Sequence, residues 1–163
     1  MESVTQATYG PPEKMKKTTQ HIGAAGELLV QYKLIKFGID SAAMTTDSGI
    51  DLVAYSPKSN RSFTIQVKAK EKPSPDGGNG KSSLSWDLRD NSPAELVAIT
   101  DLSTDSVWLF THSEFAKLAQ QHSAKGIFKL YMYVDETVKT KKEMALLSQF
   151  EQYKIENRIL TFF

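Results

Sequence analysis

The chain has 163 residues, no cysteine and a net charge of +1, with 40% hydrophobic and 24% charged residues. Such a length buries a real core and fits one domain, and the absence of cysteine excludes disulfides and thiolate metal sites and fits a reducing cytoplasm. No apolar run is long enough to cross a bilayer, and the near-neutral charge does not by itself mark a nucleic-acid binder, although a balanced total can hide local basic patches.

Residues 1–17, MESVTQATYGPPEKMKK, are polar, contain Pro11-Pro12 and carry no apolar segment of signal-peptide type. They read as an N-terminal arm, with a domain over 18–163. From about Thr19 to Phe37 the apolar residues Ile22, Ala25, Leu28, Leu29, Tyr32, Ile35 and Phe37 recur at spacings of three and four. That predicts a helix with one apolar face, capped by Thr18 or Thr19 and stopped at Gly38. The small-residue run Gly23 to Gly26 costs helix propensity, which points to close approach of the helix to a sheet. Glu27 follows at once, and His21 reads as a helix-start residue of no special role.

Ala42 to Thr46 is a short strand candidate, followed by a turn at Asp47-Ser48-Gly49. Residues Gly49 to Lys70, GIDLVAYSPKSNRSFTIQVKAK, read as two strands around a polar turn, a β-hairpin. Asp51 stands at the mouth of the first strand. Gln66 and Lys68 share one face of the second, while Ile65, Val67 and Ala69 share the other. A carboxylate, an amide oxygen and an ammonium at one sheet edge suit a divalent cation and a phosphate.

The Pro/Gly/Ser-rich run EKPSPDGGNGKSS predicts a loop beside the Lys68 edge. SLSWDLRD, around Trp86, is open between strand and short helix, and Ser92-Pro93 ends it. Ala94 to Leu102 and Ser106 to Thr111 read as two strands buried on both faces, with Trp86 and Trp108 in the core. HSEFAKLAQQHSA predicts a helix capped by Ser113, and IFKLYMYVD a strand. Thr140 to Ile155 predicts a final amphipathic helix on Met144, Leu147 and Phe150. RILTFF is expected to pack back on the body or to serve as a dimerisation patch. Together these elements predict an α/β or α+β protein, a central mixed sheet flanked by helices. Basic clusters that could meet phosphate are Lys14, Lys16 and Lys17; Lys58 and Arg61; Lys68, Lys70 and Lys72; and Lys139, Lys141 and Lys142.

At Glu27 in GAAGELL, Asp51 in SGIDLVAY and Gln66-Val67-Lys68 in TIQVKAK, the sequence resembles the PD-(D/E)XK nuclease superfamily, and more narrowly its Holliday-junction-resolvase-like and restriction-endonuclease-like branches. The family pattern is a glutamate on a helix, an acid opening one strand, and E-x-K or Q-x-K on the next. The resemblance covers roughly residues 20 to 72, and each piece falls on the element the pattern requires.

The resemblance implies a restriction-endonuclease-like core and Mg²⁺-dependent (or Mn²⁺-dependent) cleavage of DNA phosphodiester bonds. It implies that Asp51, the Gln66 side-chain oxygen, the Val67 carbonyl and Glu27 hold the metal. Lys68 would orient the attacking water and oppose phosphate charge, and Lys70, of the same strand parity, could reach the phosphate too. Gln66 replaces the more usual acid, which leaves the site one negative charge fewer. Duplex cutting would favour a homodimer. Two other readings stand beside the nuclease: a catalytically inactive nuclease fold kept as a nucleic-acid-binding or interaction module, and a domain whose hairpin polar residues are incidental.

Overall fold

The structure is a computed structural model and describes Gly10 and residues 15–163. The arm expected over 1–17 therefore lies mostly outside the described residues, Lys14 included. The chain opens with helix α1 (Thr19–Lys36), then β1 (Asp40–Ala43), β2 (Leu52–Ser56) and β3 (Arg61–Lys70). There follow β4 (Ser74–Gly77), β5 (Lys81–Arg89), β6 (Leu96–Asp101), β7 (Ser106–Thr111) and α2 (His112–Leu118). β8 (Gln121–His122), β9 (Ile127–Tyr133), a 3₁₀ segment over Leu147–Tyr153 and α3 (Ile155–Phe162) complete it.

Two sheets form, in strand orders β1-β2-β3-β6-β7 and β4-β5-β9-β8. The first is mixed: β3 runs parallel to β6 and antiparallel to β2. Strand alternation divides the core between its two faces. Leu96 and Ala98 of β6, with Val107 and Leu109 of β7, pack with Val30 and Leu34 of α1 and Ile155 and Ile159 of α3. Val97, Ile99, Trp108 and Phe110 point the other way, onto Trp86, Leu88, Leu130 and Met132 of the second sheet. The expected burial of β6 and β7 on both faces, and of both tryptophans, follows from this sandwich.

The helix α1 forms where expected, and Thr18 caps it. The Thr18 hydroxyl accepts from the His21 backbone N–H at 3.3 Å, while the Thr18 N–H donates to His21 Nδ1 at 3.1 Å. His21 thus has a role the sequence reading did not give it, as the reciprocal half of a capping box. The inward face differs from the expected one. Gly26, Val30 and Leu34 are buried, whereas Leu28, Tyr32 and Ile35 are 65%, 57% and 63% exposed. The helix is apolar on two sides, and periodicity alone cannot say which side a sheet covers. Close approach to the sheet is real, but it belongs to Gly26. A Cβ there would stand 2.6 Å from the Ala69 Cβ, whereas one on Gly23 would meet nothing within 4 Å.

Four further expectations are corrected. The first strand starts two residues early, at Asp40. The 71–83 segment is not a plain loop: Ser74–Gly77 is an edge strand of the second sheet, where Pro75 costs no ladder bond, and a turn through Asn79 (φ 60°) returns the chain into β5. Of the two forms that the sequence allows SLSWDLRD, strand or short helix, it takes the strand, which needs no correction.

The α2 helix is capped by Thr111 rather than Ser113 and ends at Leu118. Beyond it, the Gln120 amide takes both the N–H and the C=O of Tyr131 at 2.8 Å, and His122 stacks on Phe128 at 4.2 Å, so the chain pairs with β9.

The helix expected over 140–155 is absent. The Tyr133 N–H donates to the Ala145 carbonyl at 2.7 Å, which holds that stretch against β9. The spacing 144, 147, 150 is a period of three and is met by a 3₁₀ turn with Phe150 buried. RILTFF packs back as α3, with Phe63 edge-to-face on Phe162 and Phe163.

Candidate active site at the open edge of β3

The site begins with a mismatch of strand lengths. Residue Leu52 of β2 pairs with Ile65, and the Asp51 N–H donates to the Ile65 carbonyl at 2.9 Å, but β3 runs on to Lys70. From Gln66 onward β3 is paired with β6 on one side and open on the other. The Asp51 side chain turns into this gap, and its Oδ2 accepts from the Val67 N–H at 2.6 Å. On an extended strand a residue's N–H and C=O point to the same side. The Val67 carbonyl therefore faces the open edge as well, without a ladder partner there.

Parallel register sets Gln66 beside Val97 and Lys68 beside Ile99, so both side chains lie on the face turned to the second sheet. Helix α1 lies on the opposite face and brings Glu27. Because β2 has stopped, the two faces meet around the edge. Glu27, Asp51, Gln66, Val67 and Lys68 all line one concavity of about 460 Å³, rimmed by Met44 to Asp47 and by Gln20, Gly23 and Ala24 of the first helical turns.

The electrostatics are those of a site short of positive charge on its acidic side. Burial, and then the negative charge of Asp51, raise the Glu27 pKa above the usual carboxylate range. The Glu27 carboxylate has no hydrogen-bond donor and no cation within 4 Å among the described residues.

Gln66 is fixed from the other side, where the Ser92 hydroxyl donates to Oε1 at 2.6 Å. An amide oxygen has a second lone pair and can accept again. Ser92 is held in turn by its neighbour Pro93, whose ring carbons crowd Gly49. The latter has φ +83°, and a Cβ there would stand 2.9 Å from Pro93 Cδ. The turn before Asp51 and the turn after β5 thus brace each other across the site. In the sequence Ser92-Pro93 reads as a breaker with no link to Gln66, because 26 positions separate the pair and only the parallel β3–β6 pairing brings them together.

The donors suit a hard cation. One Asp51 oxygen, the Gln66 amide oxygen, the Val67 carbonyl and the Glu27 carboxylate are all oxygens, the ligand type that Mg²⁺ and Mn²⁺ take, and two acids leave room for water and phosphate oxygens. Among the described residues no group of three or more His, Cys, Asp or Glu side chains is placed to hold a metal. Lys70 lies apart. It lines a different concavity, with Asp76, Lys129, Tyr131 and Tyr133. A further hollow of about 500 Å³ beside α2, lined by Glu114, Gln120, Lys142 and Tyr153, gathers none of these donors.

No family model matches the sequence, and no curated protein does. Among solved structures the fold is similar to a bacterial homing endonuclease, I-Ssp6803I, at a TM-score of 0.56 and 13% identity, over 88% of this chain and 93% of that one. A Holliday junction resolvase from Archaeoglobus fulgidus, Hjc, aligns at a TM-score of 0.45 and 17% identity, over 70% of this chain and 84% of that one. At such identities the likeness is one of fold: the chain shares with that homing endonuclease a mixed sheet with flanking helices, whose third strand here carries Gln66 and Lys68.

Proposed function

We propose that residues 18–163 form a divalent-cation-dependent nuclease that hydrolyses DNA phosphodiester bonds, with a cytoplasmic location. The observation that carries this reading is the meeting of Glu27, Asp51, Gln66, Val67 and Lys68 in one concavity, from a helix and two strands that are distant in sequence. A bound Mg²⁺ or Mn²⁺ supplies charge neutralisation at the phosphate and acidifies water. The protein supplies position. Asp51 is oriented by the Val67 N–H, and Gln66 by Ser92. Glu27 adds the second negative charge from the helix. Lys68, half-buried, opposes charge on the non-bridging oxygens and orients the incoming water. Cutting both strands of a duplex takes two such sites, and a homodimer belongs to the proposal for that reason.

The test is a nicking assay on supercoiled DNA with Mg²⁺ or Mn²⁺. Cutting that stops in EDTA, and in both Asp51→Ala and Lys68→Ala, supports the assignment, whereas undiminished cutting by the two variants overturns it. Sedimentation of the protein reads its oligomeric state.

A second reading has its own observation. Gln66 stands where an acid would add charge, and only two carboxylates line the concavity beside the strand edge, apart from Asp47 on the rim. A nuclease fold kept for binding would show salt-sensitive DNA affinity and no turnover with either metal.

A further inference from the structure

A second concavity, of about 540 Å³, adjoins the candidate site and shares Asp47, Gln66 and Lys68 with it. Its other polar lining comes from Ser48, Arg89, Asn91 and Ser92. We propose that Arg89 and Lys68 bind here a backbone phosphate of the DNA strand neighbouring the one to be cut; the identity of the ligand as DNA rests on the function proposed above.

Three observations carry this. First, both charges are available to a ligand: among the described residues neither Lys68 nor Arg89 has a carboxylate within 4 Å. Two positive groups facing one hollow repel each other, and an anion between them removes that cost. Second, the fit is to phosphate. Arg89 is exposed at the end of β5 with its guanidinium free, a planar fork matched to phosphate oxygens, and Ser48 and Asn91 add neutral hydrogen-bonding groups. Third, the hollow has fixed walls, because the contact of Gly49 with Pro93 and the bond from Ser92 to Gln66 join its two rims. Lys68 lies on the boundary of the two concavities and Arg89 lines only the second. A strand whose scissile phosphate sits at the first therefore runs its next phosphate to Arg89. Asp47, the acid on the shared rim, is exposed and lines both concavities, so its charge offsets part of the repulsion between the two cations.

The experiment is fluorescence anisotropy of a labelled duplex in EDTA, where nothing is cut, over a series of salt concentrations. Arg89→Ala is expected to weaken binding roughly tenfold and to reduce the slope of log affinity against log salt by about 0.9, the loss of one phosphate contact. Arg89→Lys should keep the slope with weaker affinity, and Lys36→Ala, at the C-terminal end of α1 and lining neither concavity, should change neither. An unchanged slope in Arg89→Ala overturns the proposal even if the protein cuts DNA and Asp51→Ala does not. A slope that falls in a protein that never cuts supports this subsite and removes the nuclease reading instead. Failure of the wild type to bind duplex overturns the proposal. So does binding of inorganic phosphate, lost in Arg89→Ala, without affinity for DNA, because the hollow would then hold a free anion.

Discussion

Glu27 is the residue where chemistry and stability pull against each other. Its carboxyl titrates above the usual range because burial and the Asp51 charge disfavour ionisation. The folded state therefore holds that proton more tightly than the unfolded chain. Stability falls as pH rises from the unfolded glutamate value, about 4.3, through the raised folded value, and stays lower above it. Glu27→Gln removes the titration. The metal-free variant should melt at a higher temperature than wild type at pH 7.5, and the two should converge near pH 4. Adding Mn²⁺ should stabilise wild type more than the variant, and scanning calorimetry with and without the ion reads both effects. Ser92 acts on the site at one remove. Ser92→Ala takes away the donor that orients the Gln66 amide, at about 0.5–1.5 kcal/mol. Urea unfolding measures that loss, and Mn²⁺ titration should show weaker binding, with duplex affinity in EDTA falling as well because the same bond joins the rims of the second hollow. A structural role alone would leave Mn²⁺ affinity unmoved.

Among the elements, α1 and β3 meet closely enough to be tested with two glycines of one helix. Gly26→Ala places a methyl group 2.6 Å from the Ala69 Cβ, a contact that neither backbone can relieve without moving. The cost of such overpacking is about 1–3 kcal/mol, and the gain in helix propensity is smaller. Gly23→Ala has open space and should stabilise by about 0.5–1 kcal/mol. Denaturant unfolding of the two variants should therefore move in opposite directions, and equal shifts would contradict the packing of α1 on β3. The same comparison shows what the sequence could convey. The run GAAG implied close approach, yet nothing local distinguishes Gly26 from Gly23. That distinction comes from the position of Ala69 and Thr100 across the sheet.

For the whole molecule, the layered arrangement explains why an exposed edge with polar residues survives between two hydrophobic cores. The second sheet covers Val97 and Ile99 of β6, while Gln66 and Lys68, their register partners on β3, reach the place where cover ends. Gly49 is the joint between the two halves of that place. Gly49→Ala forces a side chain into a left-handed backbone and against Pro93, at about 1–3 kcal/mol. It should also lower metal affinity and DNA affinity together, because both concavities share the braced turns. A variant that loses stability but keeps both affinities would show that the brace serves folding alone.

The hairpin, the two doubly buried strands and the helix carrying Glu27 were legible because each is written locally, in alternation, in turn residues and in a cap at Thr18. The candidate donors were legible for the same reason, since Gln66 and Lys68 interrupt an apolar strand and Asp51 opens another. What pairs with what was not written locally. The second sheet draws on Ser74–Gly77 and Gln121–His122, short polar segments with no strand pattern of their own, which are strands only because β5 and β9 offer them partners. The segment around Ala145 likewise takes its shape from Tyr133. Which face of α1 is buried, that Ser92 reaches Gln66 and that Arg89 shares a hollow with Lys68 depend on contacts between residues far apart in the chain. A sequence records the preferences of each segment, and the tertiary structure chooses among them by burying the combination with the fewest unpaired polar groups.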